Sequence, residues 1–466
     1  MNVKRVMIAA PKSGSGKTMI TCALLKALKN RGEKAVSFKC GPDYIDPMFH
    51  HKAIGIPLGN LDTFFTDGEQ TRRLLLDGAA DSDIAVLEGV MGLFDGLGGV
   101  REEGSSYHLA QVTKTPIILV ADAKGMGRSV IPLLSGFLKY DKDGLIRGVI
   151  LNRMSEGYYK VIKPLIEKEL QIPVLGYFPE LKELGIESRH LGLIMPDEME
   201  DIRERLTKAS RQLEKTVSVD RIMDIAGLGE ELTVRDGKSQ QKGEGIGGCS
   251  GRYGHGRDIG VKKRPVIAVA KDEAFCFYYR ENLKMLEEYG ADVVYFSPLR
   301  QRKAPDNCHG ILMGGGYPEL YARELSENET MRESVRQAVK RGMPVVAECG
   351  GFMYLHQKLT DKDGVSHAMA GVLPASCFYT GKLVRFGYIE IEEKKSIFLL
   401  EGQKIRGHEF HYYDSEDNGC GAVAIKPAAG KTYSCIVENE HCWMGFPHLY
   451  YPSNDEFVKA FIKKMS

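Results

Sequence analysis

Short apolar runs alternate with amphipathic stretches over the first half of the chain. The runs read VKRVMIA, AVSFKCG, IAVLEGV, PIILVADA, LIRGVILN and IPVLGYF, and segments such as TCALLKAL lie between them. Apolar runs of this length, joined by amphipathic helices, are typical of βα units whose strands form a parallel sheet. We therefore predict a doubly wound, parallel α/β domain for residues 1–233.

The pattern lapses after this domain and then resumes. Residues 234–264 are rich in glycine and charged residues and have almost no apolar periodicity, which is typical of a flexible linker. Beyond them come apolar runs, a charged helix predicted near 328–341 and paired strands from about 365 to 450. Because 466 residues exceed what one core usually supports, we predict a second α/β domain for residues 265–466.

Composition narrows the class of protein. The net charge is +1 and no basic block stands out, so we expect no nucleic-acid partner. The ten cysteines form no CxxC pair or regular framework, which indicates reduced thiols and a cytoplasmic location. No stretch approaches the roughly 20 apolar residues of a membrane span, and the N-terminal run is too short for a signal peptide. We expect no membrane partner.

A glycine-rich segment lies between the first predicted strand and the first helix. Its glycines let backbone N–H groups turn toward phosphate, Lys17 offers a positive charge, and the Thr18 hydroxyl can ligate Mg²⁺. Pro11 stands where the usual pattern has glycine, so a glycine-rich turn without ligand is the alternative. The strand–loop–helix context favours a nucleotide site formed by Lys12, Ser13, Gly14, Ser15, Gly16, Lys17 and Thr18.

Carboxylates follow two other predicted strands. Residues 39–47 contain two prolines, which predict a loop rather than a helix, and this loop carries Asp43 and Asp46. Glu88 closes an apolar strand, and Asp95 follows in a glycine-rich turn. We expect Asp43 and Glu88 to hold Mg²⁺. Capping of turns and helices is the alternative for all four acids, and it is stronger for Asp46 and Asp95.

Two further polar residues are candidates for nucleotide contacts. Asn152 ends the strand GVILN and could read an adenine edge, and a turn-forming asparagine is the alternative. Lys12 resembles the signature lysine of partitioning-type ATPases, which reaches across a nucleotide-bound dimer. This resemblance leaves a homodimer open, with a solvated lysine as the alternative.

The second domain contains a candidate nucleophile. Residues 345–355 read VVAECGGFMYL, an apolar strand that breaks at Cys349 into a double-glycine turn and restarts as a helix. Such a turn presents a side chain clear of the sheet, and the helix N-terminus favours the thiolate. An inert core thiol is the alternative for a lone cysteine. The base would be a histidine, and the residues alone leave His448, His408 and His411 open.

Several motifs together resemble one family over both domains. GGGYPE, AECGGFMYL and the late histidine resemble the class I glutamine amidotransferase domain of the cobalamin-pathway subgroup. APKSGSGKT, FKCGPDYIDP, LEGVMGLFDG and ESRHLGL, with AFCFYYRENL in the second half, resemble the cobyrinic acid a,c-diamide synthases. The resemblance implies an N-terminal P-loop domain, a C-terminal class I glutaminase-like domain, and amidation of two carboxylates on a corrin ring, with glutamine, ATP and a tetrapyrrole polycarboxylate as reactants.

The resemblance also implies roles for individual residues. Cys349 would attack the glutamine carboxamide, His448 would shuttle protons, and N–H groups of the Gly315 loop and Gly350 would hold the oxyanion. Lys17, Thr18, Asp43 and Glu88 would position ATP and Mg²⁺ for formation of an acyl phosphate. The positions that match substrate handling are Tyr44, Ile45, Asp46 and Asp95.

The chain departs from the family's pattern near its end. A second histidine is usual where this chain has Tyr450, and a phenol cannot supply the negative charge that stabilises an imidazolium. We therefore expect His448 to pair with Cys349 as thiolate and imidazolium. Nickel-sirohydrochlorin a,c-diamide synthase has the same motifs and is the nearest alternative. Cobyric acid synthase resembles the chain less, and a P-loop nucleotide switch with a degenerate glutaminase domain is the remaining alternative.

Overall fold

The computed structural model describes residues 3–181, 188–189, 192–193, 201–234 and 264–465. The chain divides into two compact units, residues 1–236 and 237–466. The predicted linker, apart from its two end residues, lies outside the described residues. Every cysteine in the described ranges is a free thiol. Among the described helices, none is both long enough and apolar enough to cross a membrane.

The first unit is built on a seven-stranded sheet. Its strands are β1 (Arg5–Ala9), β2 (Ala35–Cys40), β3 (Leu58–Leu61), β4 (Ile84–Glu88), β5 (Ile117–Asp122), β6 (Ile146–Asn152) and β7 (Val174–Phe178). They lie in the order β3-β2-β4-β1-β5-β6-β7, and every pairing is parallel. The short strands β8 (Ser188–Arg189) and β9 (Gly192–Leu193) pair antiparallel.

Helices cover both faces of this sheet. They are α1 (Lys17–Asn30), α2 (Ile45–Phe49), α3 (Gly68–Gly78), α4 (Ser106–Thr113), α5 (Val130–Tyr140), α6 (Glu156–Leu170), α7 (Ile202–Thr216) and α8 (Val219–Ala226). Alternate residues of β1 enter opposite cores: Met7 lies in one apolar cluster and Ile8 in the other. The sheet is therefore buried on both faces, which confirms the predicted doubly wound fold.

One local prediction is wrong. Residues 39–47 were predicted to form a loop because of their prolines, but α2 begins at Ile45 and contains Pro47, and a π-helix (His50–Ile54) follows. Pro47 is the third residue of α2. In the first turn a backbone N–H has no acceptor within the helix, so proline removes no hydrogen bond there.

The second unit contains a six-stranded sheet in the order β11-β10-β12-β13-β23-β22. These strands are β10 (Val266–Ala270), β11 (Asp292–Phe296), β12 (Gly310–Met313), β13 (Val345–Glu348), β22 (Val437–Glu438) and β23 (Cys442–Gly445). All pairings are parallel except that of β22 with β23. The helices are α9 (Arg280–Glu288), α10 (Ala322–Glu327), α11 (Glu329–Lys340), α12 (Gly350–Leu355) and α13 (Glu456–Lys463). The charged helix predicted near 328–341 is α11.

Two smaller sheets complete this unit. A five-stranded sheet has the order β21-β20-β17-β18-β24, and a four-stranded sheet has the order β15-β14-β16-β19. Their strands are β14 (His356–Thr360), β15 (Ser366–Ala368), β16 (Leu373–Tyr379), β17 (Arg385–Glu393), β18 (Lys404–His411), β19 (Tyr413–Ser415), β20 (Ala422–Ile425), β21 (Thr432–Cys435) and β24 (His448–Leu449). The antiparallel pairing of β18 with β24 sets His408 opposite His448.

Candidate active sites

The glycine-rich loop of the first unit wraps around the start of α1. Gly16 precedes the helix with a φ of +91°, a conformation that favours glycine. A Cβ added to Gly16 would lie 2.1 Å from Asn152 Nδ2, and that amide donates to the Ser15 carbonyl at 2.8 Å. Asn152 therefore supports the loop from the end of β6, and the N–H groups of the first turn of α1 face the cleft that a phosphate would enter.

Lys17 points its ammonium group at main-chain oxygens. Its Nζ donates to the carbonyl of Met91 at 2.5 Å and, more weakly, to that of Lys12 at 3.5 Å. Met91 has a φ of +48°, which is uncommon for a residue with a side chain and directs its carbonyl at the lysine. Burial and the neighbouring Lys39 lower the pKa of Lys17 to about 8. Lys17 and Lys39 both line the cleft described below.

The predicted acids gather at the same edge of the sheet. Thr18 Oγ1 donates to Glu88 Oε1 at 2.6 Å. The Nζ of Lys39 lies 2.9 Å from Glu88 Oε1, 2.5 Å from Asp46 Oδ2 and 3.8 Å from Asp43 Oδ2. The structure thus brings Thr18 and three of the four predicted acids, Asp43, Asp46 and Glu88, together around a lysine that was not predicted.

A buried histidine completes the surroundings of Glu88. His50 Nε2 lies 3.2 Å from Glu88 Oε2, and both side chains are fully buried. The other ring nitrogen of His50 is 2.8 Å from the Ser37 hydroxyl. Glu88 is therefore held on one oxygen by Lys39 and Thr18 and approached on the other by His50, so its orientation is set from both sides.

The charged side chains around Lys39 shift one another's pKa values. Burial alone would raise the pKa of Glu88, but Lys39 and His50 outweigh it and hold that pKa well below its ordinary value. Burial lowers the pKa of Lys39, and the attraction of Asp46, Glu88 and Asp43 outweighs it and raises that pKa. Burial, and after it Asp43, raise the pKa of Asp46, and the ammonium of Lys39 opposes them. The neighbouring cations thus keep Glu88 ionised throughout the neutral range.

A cleft of about 630 Å³ opens beside these residues. Of the predicted residues it is lined by Ser13, Gly14, Gly16, Lys17, Thr18, Asp43, Asp46 and Asn152. Lys12 stabilises the loop itself, because its carbonyl accepts a hydrogen bond from the buried Ser15 hydroxyl at 2.9 Å. A mixture of loop N–H groups, two lysines and carboxylates is the chemistry that a nucleotide phosphate with a divalent cation requires.

The remaining predicted residues of this unit lie next to the cleft. Tyr44 and Ile45 are buried at the start of α2, and Asp43 Oδ1 accepts from the Ile45 backbone nitrogen at 2.9 Å. Asp95 Oδ2 accepts from the Gly92 nitrogen at 2.9 Å and so holds the turn after β4. The residues that line the cleft do not include Tyr44, Ile45 or Asp95. Asp43 and Asp95 thus make the capping contacts that the sequence left as the alternative.

The oxygen donors around Thr18 are of the type that binds a magnesium ion. Thr18 and the carboxylates supply only oxygen, the ligand type that Mg²⁺ prefers. In the part of the chain that the structure describes, no three histidine, cysteine or acidic side chains are arranged as a ready-made metal site. The centre of the acidic group is taken by the Lys39 ammonium instead.

Cys349 occupies the predicted turn in the second unit. It lies between β13 and α12 with a φ of +46° and a ψ of −101°, and its N–H donates to the Gly445 carbonyl at 2.8 Å. Such a backbone is strained for a residue with a side chain and persists only where its surroundings hold it. The N–H of Gly351 donates to the Gly314 carbonyl at 3.0 Å, so the Gly315 loop and the Cys349–Gly350 turn lie side by side.

Burial opposes the expected ionised pair in the free protein. Burial, reinforced by Glu319, raises the pKa of the Cys349 thiol, and the N–H of Gly350 only partly offsets this. Burial, and after it His411, lower the pKa of His448 to about 3. The helix after Cys349 has only six residues, and its N-terminus does not outweigh desolvation. Burial therefore favours a neutral thiol at Cys349 and a neutral imidazole at His448.

His448 lies against the glycine loop. A Cβ added to Gly315 would be 2.3 Å from His448 Cε1, so only glycine leaves room for the ring. Gly315, Cys349 and His448 follow the neighbouring strands β12, β13 and β23, whose carboxyl ends meet at one edge of the sheet. The structure thus brings the predicted nucleophile, base and oxyanion residues to a single edge.

The other two candidate histidines have different surroundings. The ring of His408 stacks on His448, and its Nδ1 is 3.2 Å from the Tyr279 hydroxyl. The ring of His411 stacks on Phe446, with centroids 4.1 Å apart, and its Nδ1 is 2.7 Å from the Tyr413 carbonyl. Of the three histidines left open by the sequence, His448 alone lies against the glycine loop in the contacts described here.

Tyr450, which stands where the family usually has a second histidine, packs against another tyrosine. It is buried and meets Tyr279 edge to face, with ring centroids 5.1 Å apart. Tyr279 in turn contacts His408, whose ring stacks on that of His448, so an imidazole backed by two tyrosines lies beside the proposed base.

Both units of the chain match known proteins. Residues 6–193 match the CobQ/CobB/MinD/ParA nucleotide binding domain, and residues 266–450 match the CobB/CobQ-like glutamine amidotransferase domain. A cobyrinate a,c-diamide synthase of Caldanaerobacter subterraneus is 37% identical over 99% of this chain and 98% of its own length. That of Thermoplasma volcanium is 41% identical over 88% and 86%, and that of Priestia megaterium 34% over 100% and 97%. The chain therefore belongs to the cobyrinate a,c-diamide synthase family of glutamine-dependent, amide-forming ligases.

Proposed function

We propose that this chain uses ATP and glutamine to amidate the a and c acetate side chains of cobyrinic acid. The observation that carries the proposal is that each unit holds one half of such a ligase. The first unit has a phosphate loop whose Thr18 is 2.6 Å from the buried Glu88, and the second presents Cys349 on a strained strand-to-helix turn. The names of the relatives support cobyrinate as the substrate.

In the glutaminase half, Cys349 attacks the carboxamide carbon of glutamine. Because both groups start neutral, His448 takes the thiol proton as the sulfur attacks and passes it to the departing ammonia. The N–H groups of the Gly315 loop and of Gly350 stabilise the oxyanion. Water then hydrolyses the thioester, which releases glutamate and restores the thiol.

In the synthetase half, Lys17 and the loop N–H groups hold the phosphates of ATP, with Asn152 supporting the loop. Thr18, Asp43 and Glu88 would hold Mg²⁺, which supplies charge neutralisation during phosphoryl transfer. A substrate carboxylate attacks the γ-phosphate and gives an acyl phosphate and ADP. Ammonia then displaces inorganic phosphate and forms the amide. Activation is needed because a free carboxylate is a poor electrophile.

Residues near the cleft would then handle the macrocycle. We assign this role to Tyr44, Ile45, Asp46 and Asp95, which lie in the two segments that follow β2 and β4. Asp46 lines the cleft itself, and α2 carries Ile45 and Asp46 at its first turn.

An oxygen-tracing experiment tests the proposal. Cobyrinic acid with ¹⁸O in its carboxylates is incubated with the protein, ATP, MgCl₂ and glutamine, and inorganic phosphate is examined by mass spectrometry. An acyl phosphate predicts one ¹⁸O in phosphate for each amide formed. Amidation of nickel-sirohydrochlorin but not of cobyrinic acid would assign the alternative substrate. ATP hydrolysis without any amide product would favour a nucleotide switch.

A further inference from the structure

Lys39 lies at the centre of the acidic group although nothing in the phosphate-loop pattern calls for it. The side chain is buried, and its ammonium contacts Asp43, Asp46 and Glu88. It leaves β2 at a position paired in register with Glu88 on β4. The two side chains thus emerge from neighbouring strands at the same level of the sheet.

The ammonium of Lys39 uses an oxygen that a metal ion would need. Glu88 Oε1 is shared between Lys39 Nζ at 2.9 Å and Thr18 Oγ1 at 2.6 Å. Thr18 and Glu88 are the residues assigned above to Mg²⁺. A cation cannot bind that oxygen while the ammonium keeps its present position, because like charges at this distance repel strongly in a buried site.

The second lysine of the cleft does not neutralise these acids by direct contact. Lys17 Nζ donates to the carbonyls of Met91 and Lys12. Lys39 is therefore the cation that holds the carboxylates together, since buried charges without a partner are costly. Its four-carbon stem is flexible, so the ammonium can move into the adjoining cleft, which Lys39 also lines.

We infer that Lys39 is an internal counter-ion that keeps the three carboxylates in place before the divalent cation arrives, and yields them when Mg²⁺ and nucleotide bind. The inference rests on the proposed function, which assigns Mg²⁺ to these residues. It makes Lys39 a positioning residue whose removal changes metal binding and stability apart from any catalytic step.

The test compares Lys39→Met, which keeps the length of the side chain and removes its charge, with the full wild-type chain. Unfolding is followed by scanning calorimetry in EDTA and in MgCl₂ without nucleotide, and MgCl₂ binding is measured by titration calorimetry. Lys39→Met should unfold at a lower temperature in EDTA, recover in MgCl₂, and bind Mg²⁺ about tenfold more tightly than the wild type.

Two further variants control the comparison. Lys29 in the same unit donates to two main-chain carbonyls, that of Ile54 at 2.6 Å and that of Gly55 at 3.2 Å. Lys29→Met should therefore lower the unfolding temperature equally with and without MgCl₂. Combining Lys39→Met with Asp46→Asn removes one charge of each sign and should regain stability in EDTA while retaining tighter Mg²⁺ binding.

Unchanged Mg²⁺ affinity in Lys39→Met, or a loss of stability that MgCl₂ does not relieve, would overturn the inference. If Lys39→Met fails to fold, the charge-balanced double variant decides, and its failure to fold in MgCl₂ also counts against the inference. Titration of ATP with MgCl₂ into the wild type separates failure of the proposed function from failure of the inference about Lys39. Absence of binding there contradicts the proposed function, whereas normal binding with no effect of Lys39→Met contradicts only the role of Lys39.

Discussion

The imidazole rings of His408 and His448 stack almost in parallel, with centroids 4.9 Å apart and planes inclined by 14°. The antiparallel pairing of β18 with β24 sets the two residues opposite each other. Burial, and after it the neighbouring His448, hold the pKa of His408 well below its ordinary value. The base proposed for glutamine hydrolysis is thus oriented by a second neutral imidazole.

This arrangement predicts unequal effects of removing the two rings. His448→Ala should lower glutamine hydrolysis by roughly 10²–10⁴-fold, the usual contribution of positioned proton transfer. His408→Leu should lower it by about tenfold, because it removes only the surface that orients His448. Steady-state glutaminase assays of both variants provide the measurement. Retained activity in His448→Ala together with its loss in His411→Ala would assign the base to His411.

A second prediction concerns the space between the glycine loop and the base. Gly315→Ala places a Cβ 2.3 Å from His448 Cε1, so the ring must move and glutamine hydrolysis should fall by about 10²-fold. Gly402→Ala is the matched control in the same unit. Its added Cβ would meet nothing within 4 Å, although its φ of +82° costs some stability. Equal glutaminase activity in Gly315→Ala and wild type would show that the loop does not position the base.

The sheets of the fold and the turn at Cys349 could be predicted from the sequence because they depend on local patterns. Alternation of apolar and amphipathic segments predicted the parallel sheets. The VVAECGGFMYL pattern placed Cys349 on a strand-to-helix turn. Lys39 was missed although a signal was present: a lysine near the end of the apolar strand AVSFKC is unusual, and such a buried charge needs partners.

Other features depend on the tertiary structure and have no local signal. The stacking of His408 on His448 arises from the pairing of distant strands. The burial that raises the pKa of the Cys349 thiol is set by packing around the turn, not by the turn itself, so the sequence pattern does not reveal it. The proline rule failed at Pro47 because its effect depends on position in a helix whose start could not be read from the sequence.

The two active sites should fail independently. Cys349→Ala should lose amide formation from glutamine and keep it with ammonium chloride at raised pH, since free ammonia bypasses the missing nucleophile. Product formation with each nitrogen source is measured by mass spectrometry. A folded Cys349→Ala variant inactive with both sources would contradict a role limited to glutamine hydrolysis.

Glu88→Gln provides the converse case. It should lose ATP-dependent amide formation with either nitrogen source by roughly 10²-fold or more, because a carboxylate assigned to Mg²⁺ is removed. Glutamine hydrolysis should survive in part. Near-normal amide formation would show that Mg²⁺ is held elsewhere.

The buried histidines predict an acid-sensitive second unit. The pKa of His448 falls from 6.5 to about 3 on folding, so between these values the unfolded chain binds a proton that the folded chain does not. Its contribution to stability is therefore complete above pH 6.5 and decreases as the pH falls toward 3, by about 2 kcal/mol at pH 5. Glu348, whose pKa burial raises to about 8, acts in the opposite direction.

Comparison of a variant with the wild type isolates the histidine. The single tryptophan of the chain, Trp443, is buried in β23 of this unit and reports its unfolding by fluorescence. Urea unfolding at pH 7 and pH 5 should show a smaller loss of stability in His448→Gln than in the wild type. An identical pH dependence in both proteins would show that His448 is protonated in the folded chain.

The central claim is that ammonia released by Cys349 in one unit becomes the amide nitrogen of a carboxylate activated in the other. The most direct measurement supplies glutamine labelled with ¹⁵N in its amide, together with cobyrinic acid, ATP and MgCl₂ at neutral pH, with no ammonium added. The account predicts a product in which two carboxylates have become ¹⁵N amides, with one ADP formed for each. Product amides that carry mainly unlabelled nitrogen, or glutamine hydrolysis without amide formation, would contradict it.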